Sequence, residues 1–214
     1  MTTIVGRGVR VEVSKTEGTA KVVTAVSKAK PGVASSTAHA LPAKSIGYFR
    51  GVEGMVQLEG QAARLAAVTS DNFTLEDINT TDYPDFTDQA EFVPITAWAT
   101  LAKATSYGIG GGDAEKLDDT SLLDDIKQEV NGLLAAQSVS IGLNAETIAS
   151  EAMAIIRDAA RRSAYLVFRI TLKDGNVRVF RGQPSLPGEE VQKGALGTGS
   201  LSVTIKGFVT EGAA

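Results

Sequence analysis

Residues 107–113, "YGIGGGD", followed by Ala114, Glu115 and Lys116, place three consecutive glycines just ahead of a lysine. Glycines before a lysine could form a phosphate cradle, with backbone N–H groups wrapping the anion and the lysine neutralising it. The spacing does not support that chemistry. Aligned on Lys116, Glu115 stands where a P-loop needs glycine, and Leu117 stands where it needs Ser or Thr. Asp113 and Glu115 would set negative charge against a phosphate. A dinucleotide pattern fails as well, because Gly108 and Gly110 are followed by Asp113 at the last glycine position. The glycines read as a bend.

The other reactive side chains are equally sparse. His39 is the single histidine and cysteine is absent, which removes thiol nucleophiles, disulfides, most triads and the usual zinc sites. A lone histidine in "TAHALPAK" reads as a packed or turn-stabilising residue. The acidic runs "LEDINTTDYPDFTD" and "EKLDDTSLLDD" lack the spacing and terminal glutamate of a calcium loop, so they read as solvated. Arg157, Arg161 and Arg162 are interspersed with Glu151 and Asp158 and read as a solvated helix face. Neither catalysis, cofactor nor metal is expected, and an acid-only hydrolase is the weakest alternative.

Composition agrees. The 214 residues carry a net charge of −4, with 43% hydrophobic and 21% charged residues. That is the balance of a folded, water-soluble chain, and it disfavours a strong grip on nucleic acid. The N-terminus lacks a signal-peptide pattern, and no apolar run is long enough to span a membrane.

The elements that would position these residues are mostly strands. Val9, Val11 and Val13 alternate with Arg10 and Glu12, as in a half-buried strand. Residues 20–92 show short β-rich runs between turns, including "KVVTAVSKA", "SIGYFRGV", "ARLAAVTS" and "FTLEDI". They are expected to form a small all-β domain inserted into a core made of 1–19 and 93–214. A longer strand in "FVPITAWATLAKATSY" should end at the glycines, and "SVSIGLN" is another. A helix is expected at 145–163, capped by Asn144, with Ile148, Ala152, Ile155 and Ala159 inward. Leu122, Ile126, Val130, Leu133 and Leu134 also share a helical face, so pattern alone gives a second helix after Thr120.

The sequence "KDGN" predicts a two-residue hairpin turn at Asp174-Gly175. Leu172 would then face Val177, and Ile170 would face Val179, with Arg169, Thr171 and Arg178 on the opposite, polar face. "PSLPGEE" reads as a rigid turn. Leu201, Val203 and Ile205 alternate with Ser202, Thr204 and Lys206 in a final strand. The expected class is mainly β with one helix.

Ordered runs within this framework carry a resemblance. Gly110 to Asp113, then "DDTSL" at 118–122, then Gly132-Leu133 and a strand, resemble the major tail tube proteins of phages with long non-contractile tails. The order of helix, hairpin and final "GSLSVTIKG" strand is similar to that family too. Within 20–92, His39-Ala40-Leu41, Gly51 to Gly60 and Thr69 to Leu75 resemble a small β-domain recurrent in phage structural proteins. Ala40 stands where that pattern has glycine.

The resemblance implies a β-sandwich or β-barrel core and a structural role in the virion tail, with assembly in the host cytoplasm. Copies would form rings, commonly hexameric, stacked into a tube through which DNA passes without specific binding. A tape measure protein would occupy the lumen, and tail terminator and tail tip proteins would bind the ends. For residues 107–134 it implies a long stacking loop in place of a second helix. The residues expected in that contact are Gly110, Gly111, Gly112, Asp113, Glu115, Lys116, Asp118, Asp119, Leu122, Asp124, Asp125, Lys127 and Leu133. A carbohydrate- or surface-binding β-module is the alternative reading.

Overall fold

A computed structural model describes residues 8–121, 123, 125–144, 150–193 and 196–213. Among these, the chain is mainly β with a single α-helix, as the alternating patterns imply. The N-terminal half contributes β1 (Arg10–Glu17), β2 (Lys21–Val23), β3 (Ala25–Val26), β4 (Val33–Ser35), β5 (Ile46–Arg50), β6 (Ala62–Ala66), β7 (Asn72–Leu75) and β8 (Ala90–Thr100). After β8 come β9 (Ala104–Gly111), β10 (Ala114–Asp118), β11 (Glu129–Leu134) and β12 (Gln137–Asn144). Helix α1 (Glu151–Arg161) leads to β13 (Leu166–Thr171), β14 (Val177–Pro184), β15 (Gly188–Glu190) and β16 (Thr198–Gly212).

Fourteen of these strands join one antiparallel sheet, ordered β3-β4-β7-β6-β5-β8-β1-β13-β14-β16-β12-β9, with β2 on β8 and β15 on β16. So long a sheet must curl, because each strand is twisted against the next. Curling encloses three apolar clusters. The first gathers Val11, Val13, Phe168, Ile170, Phe180, Val139, Ile141, Val203 and the inner side of α1. The second lies within the residue 20–92 region around Phe49, Met55, Phe73 and Phe92. The third, with Tyr48, Ala62, Val93, Ile95, Val167 and Val179, lies between those two regions.

Side chains add to that junction. Gln61, buried with only 3% of its surface exposed, accepts from Phe208 N (2.8 Å) and donates through Nε2 to Phe208 O (2.9 Å). Arg64 pairs with Glu76 at 3.0 Å, and the Ala213 N–H donates to Glu76 at 3.0 Å. The Glu211 N–H donates to Asp77 at 2.9 Å. The second half of β16 is therefore held on one flank by β14 and on the other by side chains from residues 61–77.

Several sequence expectations are corrected. The longer strand expected across 92–107 is two, β8 and β9, turned at Leu101, where the Leu101 N–H donates to Val11 O at 2.9 Å. "KVVTAVSKA" likewise divides, since β2 pairs with β8 and β3 with β4. Glu12 does not face solvent. It is buried against Arg169, whose Nε and Nη2 reach its carboxylate at 2.8 and 2.7 Å. Ser150, not Asn144, caps α1, accepting from Met153 N at 3.4 Å, while Asn144 ends β12. Residues 145–149, including Ile148, lie outside the described residues. The buried stripe is Ala152, Met153, Ile156 and Ala159, and Ile155 sits at its margin.

The β13–β14 register is shifted by one residue from the expectation. Thr171 faces Val177, Ile170 faces Arg178 and Phe168 faces Phe180. The Leu172 N–H donates to Asn176 O at 2.8 Å, and the Gly175 N–H donates to Leu172 O at 3.0 Å, which closes a three-residue loop. Only Gly175 in that loop has positive φ (87°), whereas Asp174 accepts from Asn176 N and Nδ2 at 3.0 and 2.9 Å. A type I turn followed by a left-handed glycine fits the strand twist as well as the two-residue turn does. Both faces of the hairpin consequently bury apolar groups: Phe168, Ile170 and Phe180 on one, Val167 and Val179 on the other.

Candidate assembly surface

The helix expected after Thr120 is absent from the described residues. β9 and β12 run together from Ala104↔Leu143 to Gly111↔Gln137, and β10 and β11 extend beyond them as a separate two-stranded hairpin. Gly111 and Gly112, at φ 79° and 86°, make the break between the two ladders. A Cβ on Gly111 would lie 2.8 Å from Ala136 O, so the bend needs glycine for conformation and for space. Chain bending is what the glycine cluster does here.

Leu117 faces Val130, Lys116 faces Asn131 and Asp118 faces Glu129 across the hairpin. One face is therefore polar, with a Lys116 Nζ–Asn131 Oδ1 hydrogen bond of 2.5 Å and a Lys127–Glu129 ion pair of 2.8 Å near the turn. Asp118 accepts from Thr120, and those hydrogen bonds hold its carboxyl below the ordinary aspartate range. The other face carries Leu117 and Val130, exposed by 45% and 47%, and beyond a register shift Leu134, opposite Ala114, is exposed by 62%. Leu123 and Ile126 add 93% and 74% exposure in the turn. An isolated two-stranded hairpin is marginal in water, and apolar side chains on it call for a cover.

Of the sequence-chosen residues, Gly110 and Gly111 end β9, while Gly112 and Asp113 form the bend. Glu115, Lys116 and Asp118 lie on β10, Asp119, Asp125 and Lys127 in the exposed turn, and Leu133 at the register shift in β11. Leu122 and Asp124 lie outside the described residues. The sequence reading omitted Leu117 and assigned Val130 and Leu134 to a helix stripe. Period-two alternation in "EKLD" and "EVN" was the available signal, and the i, i+4 spacing of Ile126 and Val130 masked it.

A second feature is the sheet edge. Among the described residues β9 is bonded to β12 along one side only, and its sequence, "ATSYGIGG", contains no charge and no proline. Such an edge offers unpaired N–H and C=O groups to another strand. A groove of about 240 Å3 runs beside it, lined by Val9, Val11 and Ala104–Tyr107. The opposite edge, β3, has only two residues.

The arginines of the β13–β14 hairpin are mostly partnered. Arg169 holds Glu12 and lies 4.4 Å from the Trp98 ring centroid, and Arg178 approaches Glu211 at 3.1 Å. Arg181 is flanked by Tyr48 and Tyr165, 4.1 and 5.0 Å from the ring centroids. His39 is buried, with Nδ1 accepting from Leu41 N at 3.0 Å and its ring edge-on to Phe73. That is a turn-stabilising placement. No helix among the described residues is long and apolar enough to cross a membrane.

The family model described as phage tail tube protein, TTP, matches residues 53–214, well over half of the chain. A search of curated proteins finds no match to the chain.

Proposed function

Since the chain belongs to the phage tail tube protein family, we propose that it is the repeating subunit of the tube of a long, non-contractile tail. The observation that carries this reading is the β10–β11 hairpin, which projects from the sheet with an uncovered apolar face. A contact of that kind, made head-to-tail without closing, generates an open stack. Within each ring, commonly of six copies, the bare β9 edge pairs with a neighbouring subunit, which satisfies its free backbone groups. DNA passes through the lumen without specific binding, around a tape measure protein before ejection. Terminator and tip proteins close the two ends, and assembly takes place in the host cytoplasm. Residues 20–92 form a surface unit carried on the outside of the wall.

Negative-stain microscopy of concentrated protein tests this reading. Wild-type protein is expected to form rings or tubes, and Leu117→Asp with Val130→Asp is expected to give folded subunits that do not stack. Wild-type protein that stays monomeric at every concentration would overturn it.

A further inference from the structure

The β10–β11 hairpin and β15 leave the subunit from opposite ends of one ladder. The hairpin continues from Gly111 and Gln137, whereas β15 pairs with Thr198–Ser200, which lie beside the other end of β12 at Asn144. From Ser138 to Asn144 this ladder spans roughly 20 Å, at about 3.4 Å per residue. Among the described residues, each end carries exposed apolar side chains. Leu117, Val130 and Leu134 occupy one end; Leu186, Val191 and Leu196, exposed by 62%, 70% and 80%, flank β15 at the other.

We propose that the apolar face of the hairpin in one copy docks on the β15 segment of the next copy, so that the two are complementary halves of the stacking contact. This rests on the tail tube reading and names the receiving surface that it lacks. Area favours a second copy over a single foreign partner. Two strands of five or six residues present a face of roughly 20 by 10 Å, on the order of 200 Å2. A stable pairwise interface needs about 800 Å2 on each partner. One hairpin is too small to hold two molecules together, but a ring repeats the contact in parallel and multiplies its effect. Opposite placement on the ladder lets every copy give one contact and receive one.

The chain has no cysteine, so Leu117→Cys combined with Val191→Cys introduces its only thiols. After mild oxidation of assembled tubes, non-reducing electrophoresis is expected to show a ladder of successive multiples. Either single variant should show none. Val130→Cys with Leu196→Cys is read in the same way should the first pair not assemble. Tubes without a ladder, or a band that stops at the dimer, overturn the pairing and leave the tube reading standing. Wild-type protein that forms no tubes overturns the tube reading and this inference with it.

Discussion

Replacing Gln61 with alanine should cost the subunit about 3 kcal/mol, centred on one bulge in β16. The β14–β16 register shifts between Val179↔Thr210 and Arg181↔Lys206, which leaves Phe208 without a regular ladder partner. The Gln61 carboxamide takes that place, receiving from Phe208 N at 2.8 Å and donating to Phe208 O at 2.9 Å, with a third bond to Ala62 O at 2.9 Å. At a net ~0.5–1.5 kcal/mol each, the three bonds sum to roughly 1.5–4.5 kcal/mol. Water reaches the half-exposed Phe208, which places the expectation near the middle of that range. Urea unfolding of the soluble subunit measures it.

A second substitution sharpens the test. Gly207 has φ 82°, and a Cβ there would collide with Gln61 Oε1. Gly207→Ala alone therefore meets both backbone strain and the collision, whereas in the Gln61→Ala background only the strain remains. The double variant should be more stable than the sum of the singles by about 1 kcal/mol or more, as for residues in contact. A Gln61→Ala loss below ~0.5 kcal/mol, or strict additivity with Gly207→Ala, would refute the idea that a side chain substitutes for a strand here.

Ile170→Asp should prevent folding, since Ile170 is fully buried, whereas Thr171→Asp, on a half-buried position facing Val177, should leave soluble protein; equal loss in both would contradict the hairpin faces. Glu12→Ala should destabilise by about 3–5 kcal/mol because it strands Arg169 in a mostly buried pair, and adding Arg169→Met should recover much of that in denaturation curves. Ala40→Gly should raise the melting temperature, because Ala40 has φ 52° and relief of left-handed strain is worth about 1 kcal/mol. Asp118 has a depressed pKa through its bonds to Thr120, so its stabilisation of the turn is complete above the ordinary aspartate pKa and disappears as pH falls through the lowered value. An NMR titration should show that Thr120→Val brings the Asp118 midpoint upward.

Local periodicity was enough to establish the β class, the final strand and the helix after residue 150. Leu201, Val203 and Ile205 are buried while Ser202 and Thr204 are exposed, just as alternation requires. The lack of cysteine, the lone His39 and the failed glycine motifs were also readable without coordinates, because they depend on composition and spacing alone. Three matters needed the tertiary structure. The β13–β14 register depended on whether Asp174 took a positive φ or used its carboxylate to cap the turn, and both suit "KDGN". Glu12 looked like an outward residue until Arg169, distant in sequence, arrived opposite it. For residues 114–134 Val130 fits both a helix stripe and a strand face, and only the antiparallel return of β11 on β10 decided between them. In each case the deciding partner is remote in sequence or is a backbone angle, and neither is encoded in the spacing of apolar residues along one segment.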